Sequence, residues 1–436
     1  MKSNVKSSAL IPILSVNFIG TLGFGIVLPF LIFLVTSFGG NAVIYGVMGA
    51  TYSVFQLIGA PILGRLSDIH GRKNILILSQ FGTLLSWLIF FAAMFFPLVS
   101  VLNVESGLLG NFSLTIPLLI LFFSRALDGI TGGNVSVANA YLADITEESD
   151  RGKNYGKLAI SSNLGFIIGP ALAGLLGITA WGEKVPVMAA ILISLVALIL
   201  IIFLLPDYKS KKIEKDHEST NVRKILGQEQ IECFKIECKE KITVRDVLKM
   251  TDITFLLTVY FLVFLGFNFF YIAFPVHAVQ VLDWDLTATG TFFSFLSIVM
   301  VIVQGPVLSY ASKKWADHIL IFSGSFILAI SFLFFISSSI YFVYFGAVFL
   351  AVGNGIMWPS LLSLISKSSS EKFQGTIQGY ASSLGSVASI IGLLAGGMLY
   401  NLMGSKIFIF SAAIIFGIFF MCFKLEKILR KANMRS

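Results

Sequence analysis

The sequence predicts an all-α integral membrane protein with twelve transmembrane helices in two six-helix halves. Hydrophobic residues make up 56% of the 436-residue chain and charged residues only 12%, about half the charged share of a soluble globular domain. Apolar runs of roughly 20 residues, long enough to cross ~30 Å of hydrocarbon, recur along the whole chain. A charged segment at 207–250 divides these runs into two sets.

Each predicted helix is an apolar run interrupted at both ends by polar or glycine-containing stretches. The first run is too long for the core of a signal peptide and lacks a cleavage pattern, so we interpret it as a retained helix. The predicted spans are 9–36, 43–64, 74–99, 116–142, 155–177, 185–206, 252–276, 287–309, 318–336, 340–366, 375–400 and 404–424. They form an N-terminal half at 1–206 and a C-terminal half at 251–436, joined by a cytoplasmic linker at 207–250.

Positive charges are distributed unevenly between the two sides of the predicted membrane. With the N-terminus in the cytoplasm, all of the 31 lysines and arginines fall in cytoplasmic segments except Arg125, Lys184 and Lys406. This bias toward the inner side places both termini in the cytoplasm. The net charge of +8 therefore reflects membrane topology, and we expect no nucleic-acid partner.

The sequence gives no sign of a metal site or a nucleotide-driven motor. Cys233, Cys238 and Cys422 all fall on the cytoplasmic side, and no second Cys/His pair accompanies them, so free thiols are favoured over a metal site. A Walker A sequence and a soluble segment the size of an ATPase domain are both missing. We therefore expect no cofactor and no enzyme activity.

The stretch FFSRALDGITGGN (122–134) places Arg125 and Asp128 near the centre of the fourth predicted helix, and no other predicted span has a charged residue near its centre. At a spacing of three they share one face, which must point into the protein because charge is costly in hydrocarbon. A buried ion pair contributes little stability, so a functional role is favoured over a structural bridge. Burial disfavours the charged form of Asp128 and Arg125 favours it, which makes Asp128 the candidate proton carrier. Arg125 would hold its charge or bind an anionic group of the substrate.

The motif GRLSDIHGRK joins the second predicted helix to the third at the cytoplasmic surface. It begins at Gly64, and Gly71 permits a tight turn. A carboxylate at Asp68 can cap a neighbouring helix N-terminus, and Arg72, followed by Lys73, can pair with a nearby acid. Anchoring by the positive-inside rule is the alternative explanation.

The fifth predicted helix contains GFIIGPALAG, in which small residues recur every four or five positions. Gly165, Gly169 and Gly174 let a partner helix approach closely, and Pro170 removes one backbone donor and bends the helix. From the residues alone this motif predicts packing, and close packing against the other half would seal one side of a central cavity.

Other polar or aromatic residues at membrane depth are candidates for lining that cavity. Facing lipid they would be costly, so each should point into the cavity or bond to another helix, and these two alternatives remain equal. The candidates are Asn17, Gln56, Asn134, Asn268, Tyr271, Gln304, Asn354, Trp358 and Gln378.

A weak internal repeat supports the division into two halves. GAPILGRLSDIHGRK ends the second helix and QGPVLSYASKKWADH ends the eighth. In this alignment Asp68 and Arg72 fall on Lys313 and Asp317, a pair with the signs reversed. Two repeated halves around a central cavity are a common transporter plan, and the weaker second copy suggests that the coupling machinery lies in the first half.

These motifs resemble the signatures of a known transporter family. GRLSDIHGRK is similar to the loop 2–3 signature of the major facilitator superfamily, LFFSRALDG to its helix 4 arginine motif, and GFIIGPALAG to the helix 5 motif of its proton-coupled drug exporters. AYLADITEESDRGKNYG (140–156) and the helix 11 stretch FQGTIQGYASSLGSVASIIGLLAGG resemble the tetracycline-efflux branch. The resemblance implies the major facilitator fold and a monomer in the bacterial inner membrane. It also implies a latch between helices 2 and 11, with Asp144 as the partner of Arg72.

The sequence departs from the tetracycline exporters at two positions. Those exporters carry an acid in helix 1, where this chain has Gly20, and a neutral residue where it has Asp128. The resemblance therefore does not extend to tetracycline as the substrate.

The interpretation that follows is a secondary transporter in which a proton gradient drives efflux of a small amphipathic or drug-like compound. Its partners would be that substrate, protons and the lipid bilayer. Uptake or facilitated passage of a metabolite such as a sugar, an amino acid or a siderophore is the alternative on the same fold. A transporter-like sensor or scaffold is disfavoured, because it would need neither a gate nor the titratable Asp128.

Overall fold

The computed structural model describes residues 2–132, 134–146, 151–177, 179, 181–207, 251–368 and 374–433. Almost all of the predicted linker, with Cys233 and Cys238, lies outside these residues. We call the described residues before and after the linker the N-terminal half and the C-terminal half.

The N-terminal half contains seven helices and one two-stranded sheet among its described residues. The helices are α1 (Lys2–Ser37), α2 (Ala42–His70), α3 (Arg72–Ala93), α4 (Ile116–Thr131), α5 (Asn134–Ile145), α6 (Arg151–Gly177) and α7 (Lys184–Leu204). The strands are β1 (Ser100–Ser106) and β2 (Gly110–Thr115), which pair antiparallel between α3 and α4.

The described part of the C-terminal half also contains seven helices. They are α8 (Thr251–Gln280), α9 (Leu286–Ile302), α10 (Leu308–Lys314), α11 (Asp317–Phe334), α12 (Ile340–Ser368), α13 (Gln374–Met403) and α14 (Ile407–Asn433). A π-helical turn at Val303–Val307, which contains Pro306, joins α9 to α10 in one continuous helical segment.

The fold is that of an α-helical integral membrane protein, as predicted, and every predicted span has a helical counterpart. Ten stretches of the described chain are long and apolar enough to cross a membrane. One of them, at 383–423, runs through both α13 and α14, whereas α4 and α5 are each shorter than a span. The fourth predicted helix is thus interrupted after Thr131.

The predicted end of the third span is wrong. The third span was expected to continue to residue 99, but α3 ends at Ala93. The stretches SVLNVES and GNFSLT instead form the two strands of a hairpin, in which Asn103 pairs with Ser113 and Ser106 with Gly110. We call residues 100–115 the hairpin. Gly110 has φ +71°, a conformation that side chains with a Cβ rarely adopt.

The helices run between two ends of the bundle. The hairpin end carries the hairpin and the connections α1–α2, α6–α7 and α13–α14. The basic end carries the turn at Gly71, the C-terminal ends of α5, α7 and α12, and the N-terminal ends of α6, α8 and α13.

The two halves approach each other most closely near the hairpin end. A Cβ on Gly46 of α2 would overlap the backbone of α13, where Gly397 lies opposite. A Cβ on Gly174 of α6 would likewise overlap the backbone of Gly290 of α9. Ser294 Oγ of α9 also donates to Ala171 O of α6 at 3.0 Å. Small residues therefore close the bundle at this end.

The hydrophobic core consists of two clusters of buried side chains. The larger cluster draws buried side chains from both halves, including Phe30 and Tyr45 from the first and Phe270 and Phe408 from the second. A smaller cluster, which includes Ile13 and contains side chains of the N-terminal half alone, lies toward the basic end.

Candidate functional site

Arg125 and Asp128 form a buried ion pair on α4. Arg125 Nη2 lies 2.9 Å from Asp128 Oδ2, and the two residues are 2% and 5% exposed. The predicted spacing of three thus places both side chains on one helix face. Because α4 packs against α2 and α3, the pair lies inside the N-terminal half.

Aromatic rings surround the guanidinium group of Arg125. Its Cζ atom lies 4.8 Å from the ring centre of Trp87, 5.5 Å from Phe90 and 5.7 Å from Tyr52. Such contacts favour the cation, more strongly when water is excluded. Nε has no hydrogen-bond partner among the described residues. In this conformation the guanidinium group of Arg125 is enclosed, so it presents no surface to an anionic substrate.

The carboxylate of Asp128 faces hydroxyl groups of α3. Thr83 and Ser86 both lie close to it, and Thr83 Oγ1 is also 3.4 Å from Thr131 Oγ1. The carboxylate therefore has polar neighbours on α3 in addition to Arg125, and a change in its protonation would be felt by both α3 and α4.

The interruption of the fourth predicted helix follows directly after this pair. Gly132 ends α4, with its N–H donating to Asp128 O at 2.6 Å. Gln56 Nε2 donates to Gly132 O at 3.2 Å and to Tyr52 Oη at 3.1 Å. Ser79 Oγ donates to Thr131 O. Side chains of α2 and α3 thus satisfy carbonyls that the interrupted helix leaves free. The side chain of Asn134, which begins α5, lies outside the described residues.

The loop 2–3 motif forms a compact charge cluster at the basic end. Arg72, the first residue of α3, pairs with Asp68 of α2, and its Nε donates to Asp144 Oδ2 of α5 at 3.0 Å. Arg72 Nη1 also donates to Ser67 Oγ at 2.6 Å, and Ser67 in turn donates to Gly64 O at 2.6 Å. The structure therefore brings together α2, α3 and α5, all within the N-terminal half.

Gly71 and Lys73 complete the motif. Gly71 has φ +93° and lies between α2 and α3, which explains the glycine at this turn. Lys73 Nζ donates to Ile202 O near the end of α7 at 2.8 Å.

A second charge cluster occupies the corresponding place in the C-terminal half. Asp317, the first residue of α11, accepts from Lys367 Nζ at 2.7 Å and from Ser363 Oγ at 3.0 Å, both on α12. The aligned residues Arg72 and Asp317 thus each lie at the centre of a charge cluster, the first around an arginine and the second around an aspartate. The basic partner of Asp317 is Lys367.

The helix 5 glycines contact two different neighbours. Gly165 and Gly169 meet the backbone of α1 in their own half, Gly169 directly against Gly25, with Pro170 beside it. Only Gly174 reaches the other half, at Gly290. Among the glycines of this motif, packing against the other half is therefore found at Gly174, whereas α6 turns its surface at Gly165 and Gly169 toward α1.

Asn17 and Asn268 join helices of the same half. Asn17 is buried, and its Nδ2 lies 2.6 Å from Ser162 Oγ and 3.1 Å from Leu158 O of α6. Asn268 Nδ2 donates to Phe264 O of its own helix at 2.7 Å and to Ser389 Oγ of α13 at 3.1 Å. Of the two alternatives predicted for such residues, an interhelical bond is the one present here.

The aromatic candidates form ring contacts on α8 and α12. Trp358 packs on Tyr260 and Phe264 with ring centres 5.2 and 5.1 Å apart. Tyr271 lies 5.1 Å from the ring of Phe267 and close to Tyr45 of the other half. These half-buried rings provide an apolar surface on the C-terminal half.

The remaining candidates are less constrained. Gln304 lies in the π-helical turn, with its Nε2 atom 3.8 Å from Met300 Sδ, and Asn354 is half-buried on α12. The side chain of Gln378, on α13, lies outside the described residues.

His277 is a buried titratable residue that the sequence reasoning missed. It lies on α8, with Nδ1 3.3 Å from Tyr400 Oη and its ring 5.5 Å from that of Phe408. The predicted span ended at residue 276, so His277 counted as a loop residue. The apolar residues around AFPVHAVQ were the available signal that the helix continues.

Comparison with known proteins identifies the family. The chain is 28% identical over 399 residues to the tetracycline resistance protein class C of Escherichia coli, covering 90% of this chain and 89% of that protein. It is 25% identical over 411 residues to multidrug resistance protein 2 of Bacillus subtilis strain 168, covering 92% and 90%. The human organic anion transporter MFSD10 has the same fold, with a TM-score of 0.67 at 20% identity over 96% of this chain and 99% of that one. The sequence profile of the Major Facilitator Superfamily matches residues 13–338 and 305–433. The chain therefore belongs to the Major Facilitator Superfamily, a multi-pass membrane transporter and not an enzyme.

Proposed function

We propose that this transporter exports a small amphipathic, drug-like compound in exchange for protons. The membrane would be the bacterial inner membrane, with the basic end and both termini in the cytoplasm and the monomer as the working unit. Relatives named for tetracycline and multidrug resistance support efflux of a drug-like compound. Gly20, in place of the helix 1 acid, argues against tetracycline itself.

The observation that carries the proposal is the buried pair of Arg125 and Asp128. Desolvation offsets much of the attraction within such a pair, so the pair does little for stability. An arginine keeps its proton under all physiological conditions, and Asp128 is the member of the pair that can change charge. A carboxylate at mid-membrane depth, shielded from water, suits a site that takes up and releases one proton in each cycle.

The geometry also suggests how the proton would be coupled to movement. Protonation of Asp128 would leave Arg125 as an uncompensated cation within a cage of aromatic rings. A buried unpaired charge is costly, so the protonated protein should favour a conformation in which water reaches the pair. The interruption after Thr131 would allow α4 to bend relative to α5. Loss of the proton would restore the packed state.

The substrate would contact the apolar rings of the C-terminal half. Tyr271 and Trp358 are half-buried and offer ring faces with polar edges, and no formally charged side chain accompanies them in the ring contacts described. A pocket of this kind orients a lipophilic molecule through a few hydrogen bonds. Arg125 is enclosed, so recognition would not depend on an anionic group.

A transport assay in proteoliposomes tests the proposal. A pH-sensitive dye inside the vesicles reports whether addition of a lipophilic test compound drives proton movement in the opposite direction. Counter-movement that a protonophore abolishes supports exchange. Movement of the compound with no pH change, or with protons in the same direction, would contradict it and favour facilitated passage or uptake.

Asp68→Asn should raise the population of the state closed at the hairpin end. In the opposite state the loop would hold the halves together at the basic end, with Asp68 capping the N-terminus of α13 (Gln374). A cap or a partly exposed pair contributes ~0.5–2 kcal/mol, which changes a two-state equilibrium roughly tenfold without unfolding the protein. Cysteine labelling of cavity positions from the basic end measures the population.

Lys313→Gln is the matched control, because Lys313 is the exposed residue aligned with Asp68 in the second half. It should change labelling less. Equal labelling of Asp68→Asn and the parent, with transport intact, would leave positive-inside anchoring as the role of this loop.

A further inference from the structure

The hairpin lies against the start of α2 and is tied to it by Asn41. The Oδ1 atom of Asn41 caps α2 by accepting from Val43 N at 3.0 Å and Ile44 N at 3.1 Å. Its Nδ2 atom donates to Leu109 O at 2.8 Å, in the turn of the hairpin. One side chain thus fixes the hairpin turn to the first residues of α2.

Two further bonds fasten the base of the hairpin to its own half. Ser113 N donates to Gly39 O at 2.8 Å, and Thr115 Oγ1 donates to Phe38 O at 2.7 Å. Because Phe38 and Gly39 connect α1 to α2, these bonds bind β2 to the N-terminal half. The hairpin should therefore move with that half.

The tip of the hairpin also contacts the C-terminal half. Asn401, near the end of α13, donates from Nδ2 to Leu108 O at 3.3 Å. A Cβ on Gly110 would lie 2.7 Å from Asn401 Oδ1 and 2.9 Å from Asn41 Nδ2. The backbone of the turn thus lies between two asparagine amides, one from each half.

This contact lies over the place where the halves meet most closely. Gly397 is one helical turn before Asn401 on α13, and Gly46 is a little over one turn after Asn41 on α2. Any separation of α2 from α13 at the hairpin end must therefore pull Asn401 away from the hairpin.

We propose that the hairpin and Asn401 form a latch that holds the transporter closed at the hairpin end, with Asn401 as a positioning residue for alternating access. The proposal rests on the alternation of the proposed function but needs neither protons nor an identified substrate. The contact across the halves is one exposed hydrogen bond with van der Waals packing at Gly110, weak enough to break in every cycle. Its loss should shift the resting population by about two- to tenfold toward the state open at the hairpin end.

The first test measures that population directly. Spin labels go on Trp181→Cys and Tyr341→Cys, which are 68% and 84% exposed at the hairpin end of different halves. Cys233, Cys238 and Cys422 are replaced by serine. Neither Asn401→Ala nor the isosteric Asn401→Asp can donate to Leu108 O. Both should increase the fraction of molecules at the longer of the two label-to-label distances. Asn401→Asp should do so more, because its carboxylate faces a carbonyl oxygen.

Asn103→Ala is the matched control. Asn103 is an exposed asparagine of the same hairpin that accepts from Ser113 Oγ at 2.7 Å, and it makes no described contact with the other half. It should leave the distribution unchanged. Overlapping distributions for Asn401→Ala and the parent would overturn the latch, as would an equal shift in Asn103→Ala.

Crosslinking gives an independent readout. A flexible bis-maleimide between Leu108→Cys and Leu402→Cys should block transport, since it joins the hairpin to α13. The same reagent between Asn103→Cys and Ser113→Cys, which face each other across the two strands, should leave transport intact. Transport that survives the first crosslink would show that the hairpin does not need to leave α13. A failure of proton exchange in the parent would leave the distance measurement valid, because it needs neither protons nor a transported compound.

Discussion

Asp128→Asn is expected to abolish substrate-driven proton movement while the protein still folds and binds substrate. The amide cannot take up a proton, but it keeps the size of the carboxyl group and can still accept from Arg125. The aromatic rings around Arg125 continue to favour its charge. Dye measurements of pH in proteoliposomes, with substrate binding measured on the same preparation, separate the two effects.

Asp283→Asn is the control for this change. Asp283 is an exposed acid in the α8–α9 connection with φ +52°, a conformation that asparagine also adopts readily. It should leave proton movement unchanged. Proton movement in Asp128→Asn equal to that of the parent would exclude Asp128 as the carrier.

Removal of Arg125 is expected to be the most destabilising single change at this site. Arg125→Met leaves Asp128 buried without its cation, and breaking a buried pair in this way costs ~3–5 kcal/mol unless the acid becomes protonated. Asp128→Asn should cost less, since the rings and the amide oxygen remain around the guanidinium group. The double variant Arg125→Met/Asp128→Asn should recover stability relative to Arg125→Met.

Thermal unfolding of the four proteins in detergent completes this cycle. The recovery in the double variant measures the coupling between the two side chains, which contact each other at 2.9 Å. Strictly additive losses would mean that the charges do not interact, and the coupling role of Asp128 would lose its basis.

The architecture could be predicted because hydropathy reports directly on membrane spans. The hairpin was missed because the apolar stretch FFPLVS extends the hydropathy of the third span, although Pro97 within it was a signal that the helix stops. Short strands with β-branched residues and the flanking glycines of SGLLGN were the available signal. The interruption at Gly132 was also missed, because the glycines of ITGG read as ordinary small residues of a membrane helix.

The charged pair could be found but its surroundings could not. A spacing of three predicts that Arg125 and Asp128 share a face, whereas the direction of that face depends on how α4 packs. It points to Trp87 and Phe90 of α3, so Arg125 lies within the N-terminal half. Asn17 shows the same limit, since sequence indicates a costly polar group and only tertiary packing shows that Ser161 and Ser162 meet it.

The two glycine contacts, Gly46 with Gly397 and Gly174 with Gly290, have a mechanical consequence. Each of the four glycines lies within about two turns of the hairpin-end terminus of its helix. While the hairpin end stays closed, the line through the two contacts can therefore act as an axis about which one half rotates to open the basic end. α6 has 27 residues, a lever of roughly 40 Å at 1.5 Å per residue. A rotation of about 15°, as in other rigid-body transitions, would displace the far end by roughly 10 Å. A side chain added at Gly174 would overlap the backbone of Gly290 and push the halves apart, so the absence of side chains at these four positions is what lets the hairpin end stay shut while the basic end swings.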